Sequence, residues 1–128
     1  MRKKVKRVNI SSSGSFEAAF GYSRAVRVGQ HIHVAGTCAQ PPDDAGDAHE
    51  QATGALRIIG NALAEAGASF ADVVRTVVYI TDVIHAEGVT RAHGETFGEI
   101  RPASTAVIVA GLLKPHLVVE IEAYAILS

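Results

Sequence analysis

The chain reads as an α+β protein in which a mixed sheet carries two helices on one face. Three features point there. Ser23–Val28 and His31–Gly36 are short runs separated only by Gly29-Gln30, the pattern of a tight β-hairpin. His49–Ala66 places Ala52, Ala55, Leu56, Ile59, Ala62, Leu63 and Ala66 at three- and four-residue spacing, the apolar stripe of a helix closed by Gly67. Leu117–Leu127 alternates instead, with Val119, Ile121, Ala123, Ala125 and Leu127 on one face and Glu120, Glu122 and Tyr124 on the other. At 128 residues, 48% hydrophobic and 20% charged, the sequence suits one domain covering residues 1–128.

Lys4–Asn9 is expected as a first strand. The cluster Arg2, Lys3, Lys4, Lys6 and Arg7 suits a solvated edge protected by charge better than a nucleic-acid arm. A Ser/Gly loop at Ser11–Ser15 leads towards the hairpin, and Pro41, Pro42, Asp43, Asp44 and Gly46 make an exposed loop before the long helix. Ser69 and Asp72 cap a short turn ahead of a strand at Val73–Thr81. Asp82 caps a second helix running through Phe97, weakened at Gly88 and Gly94. Pro102 ends it and is expected to hold Arg101 extended. Ser104–Val109 is then a strand, and after the Gly111–His116 loop Leu117–Leu127 is expected to pair with it. Two helices cover one side of such a sheet only. Val26, Val34, Val77 and Val107 are apolar positions on both sides, so the uncovered side is expected to meet another subunit.

Composition weighs against several function classes. A formal net charge of −1 and 5% aromatic residues supply neither the cationic track nor the stacking platforms that grip RNA. Cys38 is the only cysteine, so no internal disulfide framework is possible, and no apolar run is long enough to span a bilayer. A soluble cytoplasmic protein is the expectation. The six histidines include His31 and His33 on one strand face, yet no third ligand has matching spacing, so no metal is expected. Cys38 has no catalytic partner nearby in sequence and reads as a structural thiol. His93 lies in the second helix near Thr90, either facing a cleft or exposed.

The last quarter of the chain carries a wider resemblance. Pro102-Ala103-Ser104-Thr105, an apolar strand, Leu113-Lys114 and then Glu120-Ile121-Glu122-Ala123 are similar to the C-terminal signature of the reactive-intermediate deaminase family, Rid, also called YjgF-like. Gly21-Tyr22-Ser23-Arg24-Ala25-Val26 resembles the family's N-terminal segment, and Val34-Ala35-Gly36-Thr37 its Ser-Gly strand end. Ala66-Gly67-Ala68-Ser69 and Asp72-Val73-Val74-Arg75-Thr76 resemble its helix exit and central strand, so the likeness runs in order from Ser15 to Ile126. It implies a chorismate-mutase-like fold, a homotrimer whose sheets form an inner barrel, and small-metabolite clefts between subunits.

The resemblance also assigns candidate residues. Two carboxylates on one face of an apolar strand are costly to bury without partners, which already draws attention to Glu120 and Glu122. Glu120 occupies the family position thought to position or activate water for imine hydrolysis; the alternative is a carboxylate held structurally by backbone amides or by Ser104 or Thr105 across a strand pair. Ser104 stands where the deaminases carry an Arg that grips the substrate carboxylate, and a hydroxyl brings no positive charge. Ala35 replaces a frequent Ser, Thr90 a frequent Asn and Ala106 a frequent Cys, whereas Tyr22 is retained. The candidate binding set is therefore Tyr22, Ala35, Thr90, Arg101, Ser104 and Thr105, with Arg101 either reaching the ligand or pairing with a carboxylate. The implied activity is hydrolysis of a reactive enamine or imine of atypical kind, with no cofactor. A trimeric metabolite-binding protein without turnover, or an endoribonuclease, is the alternative.

Overall fold

In a computed structural model, residues 4–128 are described. The basic residues Arg2 and Lys3 lie outside that range. The elements run β1 (Arg7–Ile10), α1 (Ser15–Phe20), β2 (Ala25–Val28), β3 (His31–Thr37), α2 (Ala48–Glu65), β4 (Val73–Ile80), α3 (Ala86–Phe97), β5 (Ala103–Ile108) and β6 (Val119–Ile126). Single 3-10 turns precede α2, β4 and α3. All six strands form one mixed sheet in the order β1-β2-β3-β6-β4-β5, antiparallel throughout except for the parallel pair β4–β5.

The long helix begins where its sequence permits. Asp47 accepts from the Glu50 backbone and the Glu50 carboxylate from that of Asp47, so two orphan amides are satisfied by a capping box. Its stripe, Ala52, Ala55, Leu56, Ile59 and Leu63, is at most 2% exposed and packs on Ile32, Val34, Ile121 and Ala123 of the sheet. Burying each large aliphatic side chain contributes about 1.5–3 kcal/mol. Phe97 anchors α3 in the same layer, and Asp82 accepts from the Ile84 backbone at the turn that opens it.

Three expectations change. Beyond the Ser11–Ser15 loop, where the sequence marks no element, residues 15–20 form α1, which buries Glu17 and leaves Phe16 and Phe20 exposed. At six residues, its Phe16–Phe20 pair is too short a pattern to mark a helix. β6 does not pair with β5 but lies between β3 and β4. The reason is the connection: α3 makes the crossover that parallel neighbours require, delivering β5 beside β4, while β6, with Val119, Ile121 and Ala123 fully buried, takes a central place. Finally, Arg101 is not extended. It adopts the left-handed conformation, φ 57°, because its N–H and that of Ile100 both donate to the Phe97 carbonyl and close the end of α3.

The face of the sheet away from α2 and α3 carries Tyr79, Glu120, Glu122 and Tyr124, all half-buried. β5 is exposed along its whole length, including Val107 and Ile108. No helix among the described residues is long and apolar enough to cross a membrane.

Candidate functional site

The sequence-predicted residues fall into two groups on opposite faces of the sheet. The first surrounds Glu120. A register shift in the β3–β6 ladder between Val34 and Thr37 lifts the Ala35–Gly36 backbone out of regular pairing. Glu120 comes close enough to fill the space a side chain would need there: a Cβ built on Gly36 would lie 3.0 Å from the Glu120 carboxylate carbon. Cys38 Sγ donates to Glu120 Oε1 at 3.3 Å. Burial first, and the Glu120 charge second, push the Cys38 thiol up to about 12, so it remains a protonated donor beside the carboxylate.

Arg24 fixes this region from behind. Its guanidinium donates to the Gly36 carbonyl at 2.8 Å, to Thr37 Oγ1 at 2.8 Å and to the Tyr22 hydroxyl at 2.8 Å. It is buried, and Glu17 Oε2 lies 3.9 Å from its Nε. Burial alone would favour neutral Glu17. Hydrogen bonds from Ser12 and Ser11, together with Arg24, outweigh that and hold its carboxyl below the ordinary range. A single charged pair thereby ties α1, Tyr22 and the β3 irregularity together. Tyr22 and Ala35 line an open depression with His33, Glu122 and Tyr124. Tyr124 donates to Glu122 at 3.4 Å, and the charge of Glu122 followed by burial raises the Tyr124 phenol.

The second group lies where α3 meets β5. Ser104 is opposite Thr76 in the parallel ladder, and Thr76 Oγ1 is 2.8 Å from Ser104 Oγ. Thr76 is fully buried and also lies 2.9 Å from His93 Nε2. Exposed Thr90 is on the same helix, one turn before His93. Thr105, the next residue along β5, points the other way and accepts from Arg75 at 3.1 Å. Arg101 is exposed, and its side chain makes no ion pair or hydrogen bond among the described residues.

Neither Ser104 nor Thr105 holds Glu120, contrary to the structural alternative, because Glu120 is paired with Tyr79 and the β5 hydroxyls lie beyond it. Two strand spacings of about 4.8 Å and the thickness of the sheet separate Glu120 from Ser104. One chain brings Tyr22, Ala35 and Glu120 to one region and Thr90 and Ser104 to another; it does not unite them. Sequence reasoning missed Arg24, Thr76 and the Cys38–Glu120 contact. Arg24 shares its segment with Arg27, so charge alone did not mark it as the buried one. Cys38 and Thr76 had no signal without the pairing.

Residues 13–127 match the family described as Endoribonuclease L-PSP. The chain belongs to this family. A RutC family protein of Pyrococcus abyssi is 40% identical over 108 residues, covering 81% of this chain and 84% of its own. The human 2-iminobutanoate/2-iminopropanoate deaminase is 34% identical over 130 residues, with 98% and 93% covered. Among solved structures, a YjgF/YER057c/UK114 family member from Mycobacterium tuberculosis superimposes with a TM-score of 0.89 at 47% identity, covering 95% of this chain and 100% of that one. The Rid resemblance and the mixed α+β sheet are thus both established, and the family contains named imine deaminases alongside proteins carrying the endoribonuclease description.

Proposed function

We propose that this protein is a homotrimeric hydrolase of a reactive enamine or imine metabolite, with its cleft shared between two copies of the chain. The observation that carries this is the placement of the Glu120 carboxylate: half-buried, opposite a glycine that leaves it room, on the face that α2 and α3 leave uncovered. Glu120 accepts a proton from a water that adds to the C=N carbon and returns one to the nitrogen; the C–N bond then breaks, giving a carbonyl compound and ammonia. Only protons move and no redox change occurs, so positioning and acid–base transfer suffice. Tyr22, oriented by Arg24, borders the same region.

Thr90 and Ser104 would be supplied by the neighbouring copy, whose exposed β5 edge is available for such packing. The absence of a cation at position 104 points to a substrate less dependent on carboxylate gripping than 2-iminobutanoate, acted on by the human relative. The family's endoribonuclease description has weaker support, since a net charge of −1 and few aromatic residues favour a small metabolite over RNA.

Glu120→Gln tests the assignment. The amide keeps the shape and loses the proton-accepting charge, so hydrolysis of an accepted imine should fall about 10²–10⁴-fold, with the melting temperature little changed. Unchanged turnover would overturn the catalytic role of Glu120. A large loss of melting temperature would instead mark Glu120 as structural.

A further inference from the structure

We infer that His93 acts through Thr76 as a positioning residue that decides whether the Ser104 hydroxyl presents a donor or an acceptor to a bound ligand. This rests on the proposal that Ser104 lines the ligand cleft, and it deepens that reading by linking ligand class to a proton on His93. The geometry is a three-membered chain: His93 Nε2 and Thr76 Oγ1 are 2.9 Å apart, and Thr76 Oγ1 and Ser104 Oγ are 2.8 Å apart. Thr76 is fully buried, and its hydroxyl has no other side-chain partner among the described residues. Ser104 is exposed, so its second side is open to a ligand.

The polarity follows from counting protons. The Thr76 hydroxyl has one proton and serves one neighbour as donor. If His93 Nε2 is bare, Thr76 donates to it and accepts from Ser104. The Ser104 proton is then turned inward, and only lone pairs face the cleft, which suits an amine or iminium donor. If Nε2 carries a proton, it donates to Thr76 and Thr76 donates to Ser104. The Ser104 proton is freed to point outward, where it suits a carboxylate or carbonyl oxygen. The imidazolium form always has Nε2 protonated, so protonation of His93 and binding of an acceptor ligand favour each other, and the linkage is reciprocal.

Burial lowers the His93 pKa from its ordinary value, with no charged neighbour contributing. The charged groups on the surrounding elements are engaged or distant: His49 of α2 pairs with Glu95 of α3, Arg91 with Glu87 on α3 itself, and Arg75 of β4 donates to Thr105, while Arg101 between α3 and β5 is exposed. Phe97 of α3 completes the enclosure, its ring centroid 4.7 Å from that of His93. Neutral His93 therefore predominates at pH 7. Where its one proton sits on Nδ1, acceptor ligands should gain as pH falls through a range below the usual histidine value. An Nε2–H tautomer already turns Thr76 towards Ser104 and would leave acceptor binding independent of His93 protonation.

The test uses the intact protein and 2-oxobutanoate, a small carboxylate that stays ionised over this range. Calorimetric titration should show affinity rising about tenfold as His93 becomes protonated, the worth of one charge-assisted hydrogen bond. The His93 midpoint, followed by NMR, should move upward when 2-oxobutanoate is added. Thr76→Val, close to isosteric, should flatten the affinity profile and abolish the midpoint shift. Ser104→Ala, on the exposed strand, should abolish the shift without touching the core. Binding whose pH profile is the same in the parent and in both variants would overturn the relay while leaving the cleft assignment intact. No binding by the parent at any pH would overturn the relay together with the assignment of Ser104 to the cleft.

Discussion

Around Glu120 the chain converges from four separate segments, and around Ser104 from three that leave one side open. Glu17, Tyr22–Arg24, Gly36–Cys38 and Glu120 are joined by a buried guanidinium, a paired carboxylate and a thiol donor. The α3–β5 edge has one hydroxyl chain and no buried guanidinium, with Thr90, Arg101 and Ser104 all exposed. The difference teaches where reactivity and specificity reside. On the proposed function, a group that must hold one protonation geometry is built into a rigid frame, whereas exposed hydroxyls on the β5 edge can be exchanged with little cost to the fold.

The largest effect expected from this contrast is on stability. Arg24→Met should cost about 1–3 kcal/mol in chemical denaturation, because the Gly36 carbonyl and the Thr37 and Tyr22 hydroxyls lose their shared donor, whereas Ser104→Ala should stay within about 0.5 kcal/mol, as exposed positions usually do. Comparable losses at both positions would erase the distinction between frame and edge.

A smaller effect concerns affinity. Ser104→Arg should strengthen 2-oxobutanoate binding, each new charge-assisted hydrogen bond contributing about 1.5–3 kcal/mol, with little change in folding. Titration of the variant against the parent reads this directly; equal affinities would mean that Ala35 and Thr90 have altered the cleft beyond repair by one guanidinium.

Most of the fold was legible because its signals are local. The spacing of Leu56, Ile59 and Leu63 gave α2, the alternation through Ile121 gave β6, and Gly29-Gln30 gave the hairpin. The pairing of β6 was not legible, since alternation assigns faces and not neighbours. α1 escaped because Phe16, Ala19 and Phe20 span barely one turn at helical spacing, too few positions to separate a helix from a loop. For the site, alternation singled out Glu120, while its role and the choice of Tyr22 and Ser104 came from the family likeness. Cys38 and Thr76 became visible only once the register placed them beside Glu120 and Ser104. Contacts across strands carry no sequence spacing to read.

The central claim is that a working cleft needs Glu120 from one copy and the Ser104 edge from another. Subunit mixing tests it most directly. Glu120→Gln removes the proton-accepting carboxylate, and Ser104→Tyr fills the edge, so each variant alone should hydrolyse an imine that the parent accepts far more slowly than the parent does. Co-expressed in equal amounts under different tags, the two should form mixed trimers in which about a quarter of the clefts join an intact Glu120 to an intact Ser104, restoring about a quarter of parental turnover. A mixture no more active than the better of the two variants would contradict a cleft shared between copies.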